Sequence, residues 1–248
     1  MKPQILHNWP GRYSDIRKIQ QEVLAPQIDL YGSPPERGLV LGIECVFREP
    51  SQRIYCAAVL MRYPGFTETE RSLVIGKAPF PPNPEISSFR EGRTIVEALG
   101  QIQAHPDLLM IHGEGINAVS GIGIATHMGI IYDIPSVGCS RRRLMSIPKP
   151  RVGRPKNSVA KVVRDGKEIG IALRSKAGVK SIYISPGYRL GTSESLQFVR
   201  HMLRGFRTPE PIRVAHLLAT RLRSQTERQE RDNQKTGHSA KSVISAKK

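Results

Sequence analysis

Three carboxylates and one histidine fall where they can meet a ligand, and a short segment downstream gathers positive charge. Glu44 interrupts the apolar run GLVLGIECVF (38–47), and period-two alternation places it on one face with Val40, Gly42 and Val46. A carboxylate in that setting needs a partner, whether an arginine, backbone N–H groups or a metal cation. Glu91 lies in SFREG at the head of a helical pattern, with Ser87 or Ser88 placed as N-cap. A first-turn Glu also serves simply to complete a cap or offset the helix dipole. His112 closes the strand-like PDLLMIHG (106–113) ahead of a glycine loop, where open α/β sheets bind ligands, and Glu114 follows two residues later. Carboxylates converging from separate stretches suit metal-assisted phosphodiester cleavage, in which cations activate water and steady the leaving oxygen. A lone strand-end His serves equally well as a structural hydrogen-bonding residue.

The loop HGEGINAVSGIG (112–123) lacks the Gly-Lys-Ser/Thr ending of a P-loop. Its glycines either let backbone approach a ligand closely or make turns. Between 141 and 156 stand seven basic residues and no acid: Arg141, Arg142, Arg143, Lys149, Arg151, Arg154 and Lys156. Contact with phosphate is the natural use of such a stretch, and a formal charge of +17 likewise asks for a polyanionic partner.

The elements that must carry these residues follow from periodicity. Ile16, Ile19, Val23 and Leu24 predict a leading helix within 14–31, capped by Ser14 or Asp15. Apolar runs at 38–47, 54–63 and 69–77 predict an antiparallel meander, and 87–105 a helix. Strand, helix and strand then alternate over 106–113, 121–133 and 135–140, which is the grammar of a parallel pair. Strands at 168–174 and 180–185 and helices at 193–203 and 211–223 complete an α/β domain, 1–223. Its core is a mixed sheet of five or six strands, antiparallel first and parallel later, with helices on both faces. Residues 224–248 are polar, lysine-ended and aperiodic, and are expected to be a basic, disordered tail. Three cysteines without a CxxC pair, no apolar leader and no membrane-length run predict a reduced, cytoplasmic protein, monomeric and without a membrane partner.

Several long strings stand together in one order: VLGIECVF, FPPNPEISSFREG, PDLLMIHGEGINAVSGIGIATHMGIIYDIPSVGCSRRRL, IYISPGYRL and RTPEPIRVAHLLA. In that order and spacing, from about Trp9 to Leu222, the chain resembles the endonuclease V family. The resemblance implies a ribonuclease H-like three-layer fold and metal-dependent cleavage of DNA or RNA one phosphodiester beyond a deaminated base, chiefly inosine. It implies a metal set at Glu44, Glu91 and His112, catalytic roles for Glu44, Glu91 and Arg141, and magnesium or manganese if catalysis operates, otherwise no cofactor. It implies a base pocket of Gly113, Glu114, Gly115, Gly121, Gly123 and Gly138, and phosphate contacts from Arg141, Arg142, Arg143, Lys149 and Arg151.

The chain also departs from the family pattern. The family's first-strand Asp falls at Glu44, its strand-end Asp at His112, its active-site Lys at Arg141, and two of its histidines at Ala118 and Tyr188. The Tyr of its strand-separating wedge falls at Pro82 and the last Gly of that loop at Glu85. A nitrogen at 112 suits magnesium poorly. Two functions therefore remain open: a nucleic-acid-binding protein with weakened or lost catalysis, or an active endonuclease with a remodelled metal site.

Overall fold

The three apolar runs form the expected meander. Strands β1 (Gly38–Arg48), β2 (Arg53–Tyr63) and β3 (Thr67–Lys77) pair antiparallel, with Glu44 opposite Ala57 and Cys45 opposite Cys56. The structure, a computed structural model, describes residues 1–49, 51–142 and 148–245, without the side chains of 234–245. Helix α2 (Ser87–Gly100) leads to β4 (Leu108–Ile111), and α3 (Ile124–Tyr132) crosses from β4 to β5 (Ser136–Ser140). Strands β1, β4 and β5 run parallel, as the alternating pattern requires. Three more strands, β6 (Val159–Arg164), β7 (Lys167–Leu173) and β8 (Ile182–Tyr188), give the sheet order β3-β2-β1-β4-β5-β8-β7-β6.

This sheet has eight strands rather than five or six. The strand with no counterpart among the predicted segments is β6, an edge strand just beyond the basic stretch that carries Lys161 and Arg164 itself. Parallel pairing stops at β5, because β8, β7 and β6 all return antiparallel. The leading helix also breaks up: α1 (Tyr13–Lys18) passes into a π-helical turn, Ile19–Leu24, and a 3-10 turn, Ala25–Gln27. Pro26 has no N–H to continue an α-helix there. Neither expected cap is used. Arg12 precedes α1 without a side-chain cap, and Ser87 and Ser88 lie inside α2, while Asn83 caps the 3-10 turn before it through the Glu85 N–H at 2.9 Å.

Helices cover both faces. On one side α2 and α3 bury Phe89, Ile95, Leu99 and Met128 against Leu41, Ile43 and Leu60. On the other, α4 (Thr192–His201) buries Phe198 and Val199 against Val137 and Ile184, and α5 (Glu210–Ser245) brings Ala215 and Ala219 onto Ala57, Val59 and Met61. Strand β2 is buried from Ile54 to Met61 because it lies between these two layers. Among the described residues no helix is long and apolar enough to cross a membrane.

Helix α5 continues past Arg223, where an unstructured tail was expected. Glu227 lies 3.4 Å from Arg48, and Glu230 meets both Arg48, at 3.1 Å, and Arg53. These acids find their partners on the β1–β2 pair, far away in sequence, so local composition gives no sign of the helix they help to hold. At the other end of α5, a Cβ on Gly42 would overlap the Pro211 backbone. The glycine thus sets how closely α5 approaches β1.

Gly42→Ala is expected to push α5 off β1 at a cost of about 1–3 kcal/mol, as for other overpacked contacts. Urea titration should show a lower midpoint with an unchanged slope; an unchanged midpoint would mean that the close approach is not needed.

Candidate functional site

Alternation along β1 sends Glu44 to the α5 face, where it is 2% exposed. Its neighbour β4 ends with the His112 N–H donating to the Ile43 carbonyl at 2.9 Å, which sets the imidazole beside the carboxylate. His112 Nδ1 lies 3.1 Å from Glu44 Oε1. His216, in the second turn of α5, reaches the same oxygen with Nδ1 at 3.3 Å. Arg141, just beyond β5, places Nη2 3.7 Å from it and lays its guanidinium on the His216 ring, 3.4 and 3.3 Å from the two ring nitrogens. Three separated segments thus converge on one carboxylate oxygen carried by a fourth.

Burial pushes the Glu44 carboxyl up, but the hydrogen bonds and charges of His112 and His216 outweigh it and hold the group below its ordinary value. The carboxylate side chain is 3% exposed, whereas His112, His216 and Arg141 keep 21%, 34% and 35%. An approaching anion therefore meets the cationic and donor groups before the acid. Two buried atoms, Glu44 Oε2 and His112 Nε2, have no hydrogen-bond partner.

Glu91 is placed differently. It is half-buried near the start of α2, and burial, then the negative charges of Glu114 and Glu44, push its carboxyl up to about 8. At neutral pH it is mostly protonated. The Cys45 thiol, which alternation puts on the opposite face of β1 from Glu44, and the Arg90 charge oppose that rise. Glu114 is also raised, chiefly by burial, with its own backbone N–H and the nearby His112 opposing. The sequence-predicted trio is thus only partly assembled: Glu44 and His112 touch, while Glu91 interacts with Glu44 across a distance.

The glycine loop is filled by its own chain. Gly113 packs on Ile124, Gly115 on the Pro186 carbonyl, Gly123 on the Glu114 carbonyl, and Gly138 on the backbone of Gly113–Gly115. Gly121 takes a left-handed turn conformation, φ +78°, with open space beside it. Asn117 bonds the Gly115 N–H at 3.1 Å, and Arg164 donates to the Asn117 and Ala118 carbonyls at 2.6 and 2.7 Å. Gly113, Gly115, Gly123 and Gly138 thus serve close packing of a braced loop.

Of the predicted phosphate contacts, Arg142, Lys149 and Arg151 are exposed, and Arg143 lies outside the described residues. They line a cavity of about 1470 Å3 that begins at Arg141. Tyr188 is away from the centre, its hydroxyl bonded to Asp133 at 3.0 Å, and Ala118 is buried. Pro82 is exposed, and Glu85 pairs with Arg17 at 2.7 Å. The residue that sequence reasoning missed is His216. Its signal was present: a single ring nitrogen donor set beside the buried apolar stripe Ile212, Ala215 and Ala219 of α5.

A resident magnesium or manganese does not fit this arrangement. One oxygen of Glu44 is taken by two imidazoles and a guanidinium, and Glu91 lies beside Cys45, on the other face of β1 from Glu44. Among the described residues no three His, Cys, Asp or Glu side chains are grouped to hold an ion.

A mixed central sheet between two helical layers, with acidic residues on β1 and at the start of the first packed helix, defines the ribonuclease H-like class. The sequence pattern of the endonuclease V family matches residues 22–217. Endonuclease V of Gloeobacter violaceus is 32% identical over 213 residues, which are 85% of this chain and 86% of that one. The crystal structure of endonuclease V from Streptomyces avermitilis aligns with a TM-score of 0.81 at 26% identity, covering 92% of this chain and all of that one. Ciona intestinalis endonuclease V, solved with a DNA containing an inosine followed by a ribo-adenosine, shares the fold at a TM-score of 0.75 and 18% identity, covering 86% of this chain and 97% of that one. The chain belongs to the endonuclease V family.

Glu91 has a folded-state pKa raised from 4.5 to about 8, so its contribution to stability is present below the unfolded value and is lost as pH rises through about 8. Glu91→Gln should remove that decline and make the variant more stable than the parent near pH 9. Chemical denaturation at pH 5, 7 and 9 measures this, and parallel pH profiles for the two proteins would refute it.

Proposed function

We infer that this member of the endonuclease V family binds nucleic acid through a metal-free, positively charged centre and has lost efficient phosphodiester cleavage. One observation carries the reading: the family's acidic position, Glu44, is sheathed by His112, His216 and Arg141, of which His216 and Arg141 remain about a third exposed. The Arg141 guanidinium in this position attracts a phosphate oxygen directly, through a charge-assisted hydrogen bond. Misplacing a reacting group by about 1 Å can cost on the order of a hundredfold in rate, and here a longer acid and a nitrogen ligand alter the centre together. By family relation, the favoured target is DNA or RNA containing a deaminated base such as inosine. His216 and Arg141 hold the phosphate, His112 and Glu44 fix their orientation, and Glu91 stays neutral beside them.

A second reading, a remodelled manganese site, draws on the unmatched Glu44 Oε2 and on the mutual repulsion of Glu91, Glu114 and Glu44, which a cation would relieve. One experiment separates them. Binding to an inosine-containing oligonucleotide should be salt-dependent, unchanged by EDTA and unaccompanied by cleavage in magnesium or manganese. His216→Ala should weaken it by roughly tenfold, the loss of one hydrogen bond. Metal-dependent nicking that disappears in Glu91→Ala would overturn the first reading in favour of the second.

A further inference from the structure

Residues 1–12 run as a strap across α2 and α3. The Gln4 N–H donates to the Ile131 carbonyl at 2.6 Å, Leu6 packs on the core beneath, and the Trp9 ring fills the space that a side chain on Gly92 would need. Between strap and helices two imidazoles meet. His7 Nε2 lies 2.8 Å from His127 Nε2, and His127, on α3, is 0% exposed. Phe89 and Trp9 close over the His127 ring at centroid distances of 4.7 and 5.4 Å. The surroundings fix where the protons of this pair lie. His7 Nδ1 faces the Asn8 carbonyl at 2.9 Å, and a carbonyl only accepts, so neutral His7 carries its proton on Nδ1. Its Nε2 is then an acceptor, which leaves His127 Nε2 to donate and His127 Nδ1 bare. That last nitrogen is buried and has no hydrogen-bond partner.

A further proton has no place while the strap is closed. On His7 Nε2 it would point at the His127 N–H, and on His127 Nδ1 it would set a charge against Phe89 and Trp9 with nothing to accept it. Burial, then the positive charge of a protonated His7, hold the His127 imidazole well below its ordinary value. No acid on the packed elements offsets this: Glu91 lies beside Cys45, Glu97 is exposed, and Asp133, just past α3, pairs with Arg189. Lys2, Arg12 and Arg93 are themselves cations, Arg90 turns to Glu49, and the Met1 amine bonds the Leu99 and Ile102 carbonyls. We propose that the His7–His127 pair is an acid-sensitive latch, which opens on taking up protons and releases residues 1–12 from α2 and α3 while the sheet stays folded. An imidazole in water gains its proton below about 6.5, so the strap is held above that pH and lost as the pH falls through it. Met1, Leu6 and Trp9 are only partly buried at the margin of the core, so their departure leaves the core in place. Gly92 adjoins Glu91, so lifting Trp9 also removes packing from the head of α2. The latch stands apart from the Glu44 centre and needs nothing from it.

Trp9 is the single tryptophan of the chain, so its emission reports on the strap. The full chain is titrated from about pH 7 to about pH 5, with far-UV circular dichroism on the same samples; the Glu91 carboxyl changes charge near 8, above this range. Emission should move to longer wavelength with a midpoint below about 6.5 and an uptake of about two protons per opening, while the dichroism stays constant. His7→Gln keeps an acceptor for His127 Nε2 and a donor for the Asn8 carbonyl but does not titrate. Its transition should fall to about one proton and move to lower pH. Hydrogen exchange reads the same event without a mutation: the Gln4 amide should lose protection at about pH 5.5 while the β2 amides keep theirs. Emission that does not change down to about pH 5, a shift that coincides with loss of the dichroism signal, or the same midpoint and steepness in His7→Gln overturns the latch. So does Gln4 protection that stays level with that of β2 across the range.

Discussion

The buried carboxylate of Glu44 is the constraint on which the rest of the site depends. A charge almost sealed from water must be matched, and the match is made by groups from β4, the end of β5 and α5. Removing one partner of a buried charge typically leaves an uncompensated group, which costs several times what the pair contributes. The carboxylate therefore acts as a structural clasp as well as a chemical group, drawing four parts of the chain to one point. It also decides the sign of the site, because its own charge is hidden while the groups that satisfy it remain partly exposed.

That inversion separates fold from chemistry. The family's layers, crossover connections and glycine-packed loop are all in place, and the close approach of α5 at Gly42 brings His216 to its carboxylate. The ligand set is what has moved. A hard dication prefers several oxygens free to turn inward. Here one oxygen is occupied by nitrogen donors and a second acid stays protonated against a thiol on the other side of β1. In the proposed reading, the same scaffold presents Arg141 and His216 to an anion.

The surroundings extend the same electrostatic logic. Arginines with different tasks sit next to one another: Arg174 and Arg207 use their donors on carbonyls and tie the loops around 152 and 180 to their neighbours, while Arg142, Arg151 and Arg154 are exposed. The long α5 contributes at both ends, supplying His216 near its start and anchoring Glu227 and Glu230 on β1 and β2 further along. Its position is fixed by apolar contacts of Ala215 and Ala219 with β2, so the imidazole arrives on a rigid support.

Much of the fold was legible in the chain. Alternation in GLVLGIECVF put Glu44 on the face with Gly42 and Val46, and that is the face α5 covers. The strand–helix–strand pattern over 106–140 gave the parallel pair, and the long motifs gave the family, because local periodicity and turn residues act within a few positions of one another. What the chain could not disclose depends on contacts between distant segments. The edge strand β6 hid among basic residues, since its pattern is set by a neighbour it meets only in the sheet. The reach of α5 past Arg223 depends on arginines 177 and 182 positions away. His216 gains its role only when α5 lies on β1, and Glu91 its proton only when the packed layers remove it from water. Those pairings and burials are products of tertiary packing, and no stretch of sequence read by itself contains them.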